Sequence, residues 1–213
     1  MLKNLTCSVK ILDINIVQQT LDEILRECQI LHGHLCAGQV LGARMAILGC
    51  RLIEVEDPRG ADRKKLIVWV EIDRCVADAV SAATGVRLGR RSLKYADYGK
   101  VAATFFNLDT GRAIRIAARD ESRLLADKLF PQIENRKERQ MRTYRELDDK
   151  ELFKIAAVEV LYNVMDQPGR PRSRVSCDEC GEGINDGREV REAGRTLCRP
   201  CRGGGYYTQS FEP

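Results

Sequence analysis

The sequence predicts a core of mixed helices and strands followed by a small metal-held module. Between residues 15 and 165, apolar residues recur at helical spacing in some segments, and β-forming runs bounded by turn residues alternate with them. Beyond that, four cysteines form two C-x-x-C pairs, Cys177 with Cys180 and Cys198 with Cys201, separated by seventeen residues that contain no cysteine. Each pair brings two thiolates to one ion from a tight turn, and two pairs complete a tetrahedron, so the four are assigned to a structural zinc ion.

The elements follow in order. Val17, Leu21, Ile24, Leu25, Cys28 and Leu31 make an apolar stripe and predict a helix from Asn15 to Leu31, with Asn15 and Gln18 as its capping box. The glycine-broken segment LHGHLCAG follows, then a helix over Gln39 to Leu48. Gly38, Gly42 and Ala46 form a small-residue stripe there, which admits close approach of another backbone. Strands are expected at Arg51 to Val55 and Leu66 to Ile72. Asp73 reads as the N-cap of a helix through Ala83 that ends at Thr84-Gly85. Further strands are expected at Ser92 to Tyr95, Val101 to Asn107 and Ala113 to Ala117, with Asp109-Thr110-Gly111 as a turn. Helices at Glu121 to Phe130 and Asp148 to Val164 close the core, and the charged stretch NRKERQMRTYRE between them reads as a solvated helix or arm. The organisation is a core domain over 1–165, a Pro/Gly/Arg linker over 166–175 and a four-cysteine module over 176–213.

Composition narrows the class. A 213-residue chain has room for one ordinary domain and a small module, and a net charge of +4 is too mild to imply nucleic acid or an acidic membrane. The apolar stretches carry charges such as Asp78, which argues against a membrane span, and the N-terminus lacks the apolar core of a secretion signal. Nine cysteines, an odd number with four in metal spacing, fit a reducing, cytoplasmic setting better than a disulfide framework.

A second constellation lies in the core. The two histidines of the chain fall in His32-Gly33-His34-Leu35-Cys36. In an extended segment, positions i, i+2 and i+4 face one side, so His32, His34 and Cys36 would address one space as ligands for zinc, nickel or iron. The alternative is a pair of structural histidines at a helix end beside a buried thiol. Cys75 falls in the first turn of a predicted helix, where the N-terminus favours thiolate; a small apolar residue in that turn is the plainer reading. Cys28 and Cys50 lie on apolar stripes and read as core packing. Cys7 is uninformative.

The blocks HGHLCAGQVLGARMA, EIDRCVADAVSAATG and VRLGRRSLKYADYGKVAATFF, in that order before a cysteine-rich tail, resemble the FmdE family, named for the E component of formylmethanofuran dehydrogenase, over roughly residues 15 to 165. That family carries H-G-H-x-C-P-G running into L-G-x-R, an acidic residue and cysteine before D-A, then T-G and D-Y-G-K. The motif's proline is Ala37 here, which removes a fixed φ but no candidate ligand. The resemblance implies an α+β core with an antiparallel or mixed sheet. It implies a metal or reactive-cysteine site carried by His32, His34, Cys36 and Cys75. It also implies an intertwined homodimer and, in some members, a C-terminal treble-clef zinc finger. The family name comes from association with a molybdenum or tungsten enzyme, so an oxidoreductase complex is the implied protein partner.

Three functions are compatible with these sites. A metal-dependent enzyme or accessory would hold one ion with His34, Cys36 and Cys75, with His32 as a further ligand, and leave a position open. Asp73 or Glu71 would orient a ligand or move a proton, and Arg87, Arg90, Arg91, Lys94 and Lys100 would attract an anion if they are more than a solvated loop. A metal-free variant uses Cys36 or Cys75 as a nucleophile with His34 or His32 beside it. A regulatory or metal-sensing protein would instead use the module for protein contact. From Cys177 to Arg202 there are five arginines and six acidic residues, which disfavours phosphate binding. Gly203, Gly204 and Gly205 disfavour a helix after the second pair, so the module reads as a zinc ribbon or a truncated treble clef. Tyr206, Tyr207 and Phe211 are then free to pack on the core or on a partner chain.

Overall fold

The computed structural model describes residues 21–207. The described residues divide into two compact units, 21–160 and 161–207. In chain order the first unit contains α1 (21–32), α2 (Ala37–Leu52), β1 (Leu66–Val70), α3 (Cys75–Thr84), β2 (Leu93–Tyr95), β3 (Ala102–Asn107) and β4 (Ala113–Ala118). It closes with α4 (Glu121–Leu129), α5 (Arg136–Glu146), α6 (Asp149–Leu152) and β5 (Phe153–Ala157). The second unit has two hairpins, β6 (Arg174–Ser176) with β7 (Gly183–Asn185), and β8 (Val190–Glu192) with β9 (Arg195–Leu197). The Asn15 and Gln18 capping box lies outside the described residues.

The first unit is an α+β domain with a mixed five-stranded sheet in the order β2-β1-β3-β4-β5. β1 and β2 run parallel, and the β1–β3, β3–β4 and β4–β5 pairs are antiparallel. β3 is buried along its whole length, as its small and aromatic residues allow. Trp69 of β1 lies against Phe106 of β3, ring centroids 6.3 Å apart. The Asn107 side chain donates to the Ile53 carbonyl and accepts from Asp109 N–H, which sets the turn at 109–111.

The small-residue stripe of α2 packs against α3. A Cβ on Gly42 would lie 2.6 Å from the Val76 carbonyl oxygen, and one on Gly38 would lie 3.3 Å from Cys75 Cβ. Only glycine admits α3 at that distance. Arg44 of α2 donates to the Tyr144 carbonyl at 2.9 Å and to that of Leu147, and reaches Asp149 Oδ1 at 2.7 Å. It thereby satisfies carbonyls left open at the end of α5.

Several expectations are corrected. Residues 51–55 are not a strand: α2 continues to Leu52, Glu54 takes a left-handed φ of 59°, and Val55 N–H returns to the Cys50 carbonyl at 2.9 Å. This is a Schellman ending, and the buried Ile53 and Val55 that resemble a strand pattern belong to it. Asp148 to Val164 is not one long helix. Asp148 and Glu151 form a capping box over a single turn, after which Phe153 turns extended and 153–157 pair with the edge of β4. Pairing with a strand distant in sequence overrides the local helical pattern. The N-cap of α3 is Arg74 in place of Asp73, one residue later than expected. The charged stretch forms α5, and Tyr144 on it is among the largest fully buried side chains, so the helix is not solvated all round.

Candidate metal and thiol centres

The second unit is organised around its cysteines. The first pair sits in the turn between β6 and β7 and the second follows β9. One ligand atom from each of Cys177, Cys180, Cys198 and Cys201 lies within 4.8 Å of every other. Cys180 Sγ and Cys198 Sγ are 3.9 Å apart, close to the edge of about 3.8 Å that zinc–sulfur bonds of ordinary length give a tetrahedron. Cys198 N–H donates to Cys177 Sγ at 3.3 Å. Backbone donors at Cys180 and Cys198 lower the Cys177 thiol to about 6, which favours the thiolate a metal requires. The rest of the unit's core is small, Ile184 and Leu197 with Val175 against them, so burial alone holds it weakly. The second pair enters only one helical turn, Pro200–Gly204, in which Gly203 has a φ of 100°. Tyr206 and Tyr207 stack edge to face at 5.1 Å and are both exposed; Phe211 lies outside the described residues.

The core constellation is built from three helix ends. α1 stops because Gly33, at φ 82°, returns its N–H to the Gln29 carbonyl at 2.9 Å, which leaves His32 on the last turn. Cys36 is the N-cap of α2, and Cys75 is the first residue of α3. The extended arrangement of His32, His34 and Cys36 is therefore corrected: the segment is a helix end followed by a cap. Gln39, fully buried, accepts from Cys36 N–H at 3.0 Å and donates to the Cys28 carbonyl at 3.2 Å, tying the two helix ends together.

Cys75 Sγ lies 3.4 Å from His32 Nε2, and His32 Nδ1 lies 3.2 Å from Asp78 Oδ2. Burial, with the Cys36 sulfur beside it, pushes the Cys75 thiol up, contrary to the thiolate expected at a helix start. His34 is exposed, its ring centroid 4.9 Å from that of His32. Cys28 and Cys50 are buried, and burial raises both thiols, to about 11 and about 12.

A family profile described as FmdE, molybdenum formylmethanofuran dehydrogenase operon, matches residues 31–159, more than half of the chain. The chain belongs to the FmdE family. Its tail matches the prokaryotic dksA/traR C4-type zinc finger over residues 170–207. Over 106 residues it is 32% identical to a probable S-adenosyl-L-methionine-binding protein of Archaeoglobus fulgidus, covering 49% of this chain and 29% of that protein. The FmdE chain thus spans under a third of that relative. A tungsten formylmethanofuran dehydrogenase FmdE-like protein of Syntrophus aciditrophicus shares the fold, with a TM-score of 0.59 at 20% identity, covering 88% of this chain and 95% of that one.

The other residues singled out in this FmdE chain divide. Glu71 is committed elsewhere: it is buried, and its carboxylate takes a two-pronged pair from Arg115 at 2.7 and 2.6 Å. Its backbone also accepts from Tyr98 and Lys100, fixing the strand end that leads to Cys75. Asp73 is exposed near Tyr95. Arg87 donates to Ser81 Oγ, and Lys100 lies over the Tyr98 ring. Sequence reasoning passes over Asp78 and Gln39. The available signal is their offset of three residues from Cys75 and Cys36, one helical turn onward.

Proposed function

We propose that this is an FmdE-family metal protein with a structural zinc in its tail and a second ion, zinc, nickel or iron, in its core. His32, Cys36 and Cys75 would hold the core ion, with His34 reaching in from the surface. The observation that carries this is the 3.4 Å separation of Cys75 Sγ and His32 Nε2, with Asp78 behind the other ring nitrogen. A tetrahedral ion with ordinary sulfur and nitrogen bond lengths would give an edge of about 3.5 Å. A carboxylate on the far nitrogen is the usual support of a ligating histidine, since it fixes the tautomer and the ring. A core ion with a free position would supply Lewis-acid chemistry. Cys36, Cys75 and His34 are the residues proposed to meet a reacting group, and Glu71 is kept out of that role by Arg115.

The family resemblance further supports a cytoplasmic homodimer that serves as an accessory to a molybdenum or tungsten oxidoreductase complex. No helix among the described residues is long and apolar enough to cross a membrane. A second reading, a regulatory or metal-sensing protein whose treble-clef-like finger contacts protein, is favoured by the finger's ion pairs. Arg188, Arg191, Arg195 and Arg202 each pair with a carboxylate, which leaves little free positive charge for phosphate.

Metal analysis of the purified full chain, repeated on Cys36→Ser and Cys198→Ser, tests the proposal. Each variant is expected to lose one metal while keeping the other. If Cys36→Ser keeps every ion of the parent, the core site is wrong.

A further inference from the structure

Among the described residues of the core unit, Cys36 and Cys75 are the two half-buried thiols, and they sit side by side at the starts of two different helices. Cys36 lies within electrostatic reach of the Cys75 thiol. A Cβ on Gly38 would stand 3.3 Å from Cys75 Cβ and 3.7 Å from Cys36 Sγ, so both side chains converge on the hydrogen-sized space that glycine leaves. A disulfide needs Cβ atoms about 4 Å apart on converging bonds. Cys28 and Cys50 are unlike this pair: both are buried, and burial holds their thiols protonated.

We propose that Cys36 and Cys75 form a reversible intramolecular disulfide when the protein meets a low-molecular-weight disulfide. The pair is thereby a modification site that closes the core centre. His32 Nε2, 3.4 Å from Cys75 Sγ, accepts the Cys75 proton. The Cys75 sulfur attacks one sulfur of the oxidant RSSR, the RS–SR bond breaks, and the first RS⁻ leaves and takes the proton from His32. The Cys36 thiol, giving its proton to the second leaving group, then attacks the Cys75 sulfur of the mixed disulfide and expels that second RS⁻. The two cysteines are oxidised by two electrons in total, and RSSR is reduced to two RSH. Both sulfurs are consumed in the bond, so neither remains a thiolate ligand.

The disulfide requires the two thiols only and not a bound ion. The full chain is incubated with oxidised glutathione in two arms, with and without a chelator. Free thiols are then blocked, and the protein is digested with trypsin without reduction. Cleavage after Arg26, Arg44, Arg74 and Arg87 releases Cys36 on peptide 27–44, together with Cys28, and Cys75 on peptide 75–87. The expected product in the chelator arm is a 27–44/75–87 species linked by one disulfide and dissolved by dithiothreitol. It must persist in Cys28→Ala and vanish in Cys36→Ser, with glutathione then retained on Cys75. Absence of the linked species in both arms of the parent, or its survival in Cys36→Ser, overturns the proposal. Equal yield in both arms upholds the disulfide and counts against the core ion alone.

Discussion

Gly42 faces the Val76 carbonyl so closely that a Cβ there would sit 2.6 Å from the oxygen. The position of α3, and of Cys75 at its first residue, is set by this contact between two helix backbones. Gly42→Ala gains helix propensity of up to about 1 kcal/mol, but a backbone carbonyl cannot yield as a side chain does. The expected net loss is about 2 kcal/mol, the scale of overpacking in a core. Denaturant melts of the two proteins read it directly. An unchanged or raised midpoint would mean that α3 is not held where the contact puts it.

Asp78→Ala is expected to leave the thermal midpoint within a degree or two, because the carboxylate is largely exposed. Core metal affinity should fall by about 10- to 100-fold, the usual cost of removing the carboxylate behind a ligating histidine. Competition against a chromophoric chelator measures this, and Asp78→Asn should restore part of it because its oxygen can still accept from Nδ1–H. Equal affinities in Asp78→Ala and parent would separate Asp78 from the metal.

Arg44→Met should destabilise the core unit by about 2 kcal/mol. It removes donors to two carbonyls and a pair with Asp149, while the methionine stem keeps the packing. Arg44→Lys should recover little, since one ammonium cannot span three acceptors that a planar fork reaches. Urea unfolding of the three proteins distinguishes these outcomes.

Legibility in the sequence followed the range of the interactions. LIVWV, the 109–111 turn and the glycine stripe of α2 are local patterns, and each is found as read. The four tail cysteines carry their own geometry in their spacing. The residues 153–157 were illegible because their strand exists only through pairing with β4, and the Schellman ending at Glu54 was hidden because glutamate stands where glycine would have signalled it. At the core centre the residue types were readable but not their arrangement: Gly33 ends a helix in place of passing through an extended segment, and Asp78 becomes visible only once His32 and α3 are side by side.

Acidification should loosen the loop after α2 before the rest of the fold. Asp62 accepts from Asp57 N–H, pairs with Lys65 and accepts from Glu56 N–H, which lowers its carboxyl from the usual 3.8 to about 2. A depressed folded value means that this stabilisation is present above the unfolded pKa and is lost as pH falls from about 4 through about 2. Proteolysis at the 56–65 loop by an acid-active protease should rise across that window in the parent. In Asp62→Ala it should be high throughout; a parent profile identical to the variant's would remove Asp62 as the cause.

Removing zinc from the tail should unfold that unit and leave the core folded, because Ile184, Leu197 and Val175 are too few to hold it. Trp69 gives this a separate readout. It is the chain's single tryptophan, and it lies in the core sheet against Phe106, while the tail carries tyrosines and no tryptophan. Indole emission therefore witnesses only the sheet. Tyrosine signals that move under a chelator while the indole spectrum stays still would time the collapse of the tail independently, in one cuvette and with no label attached.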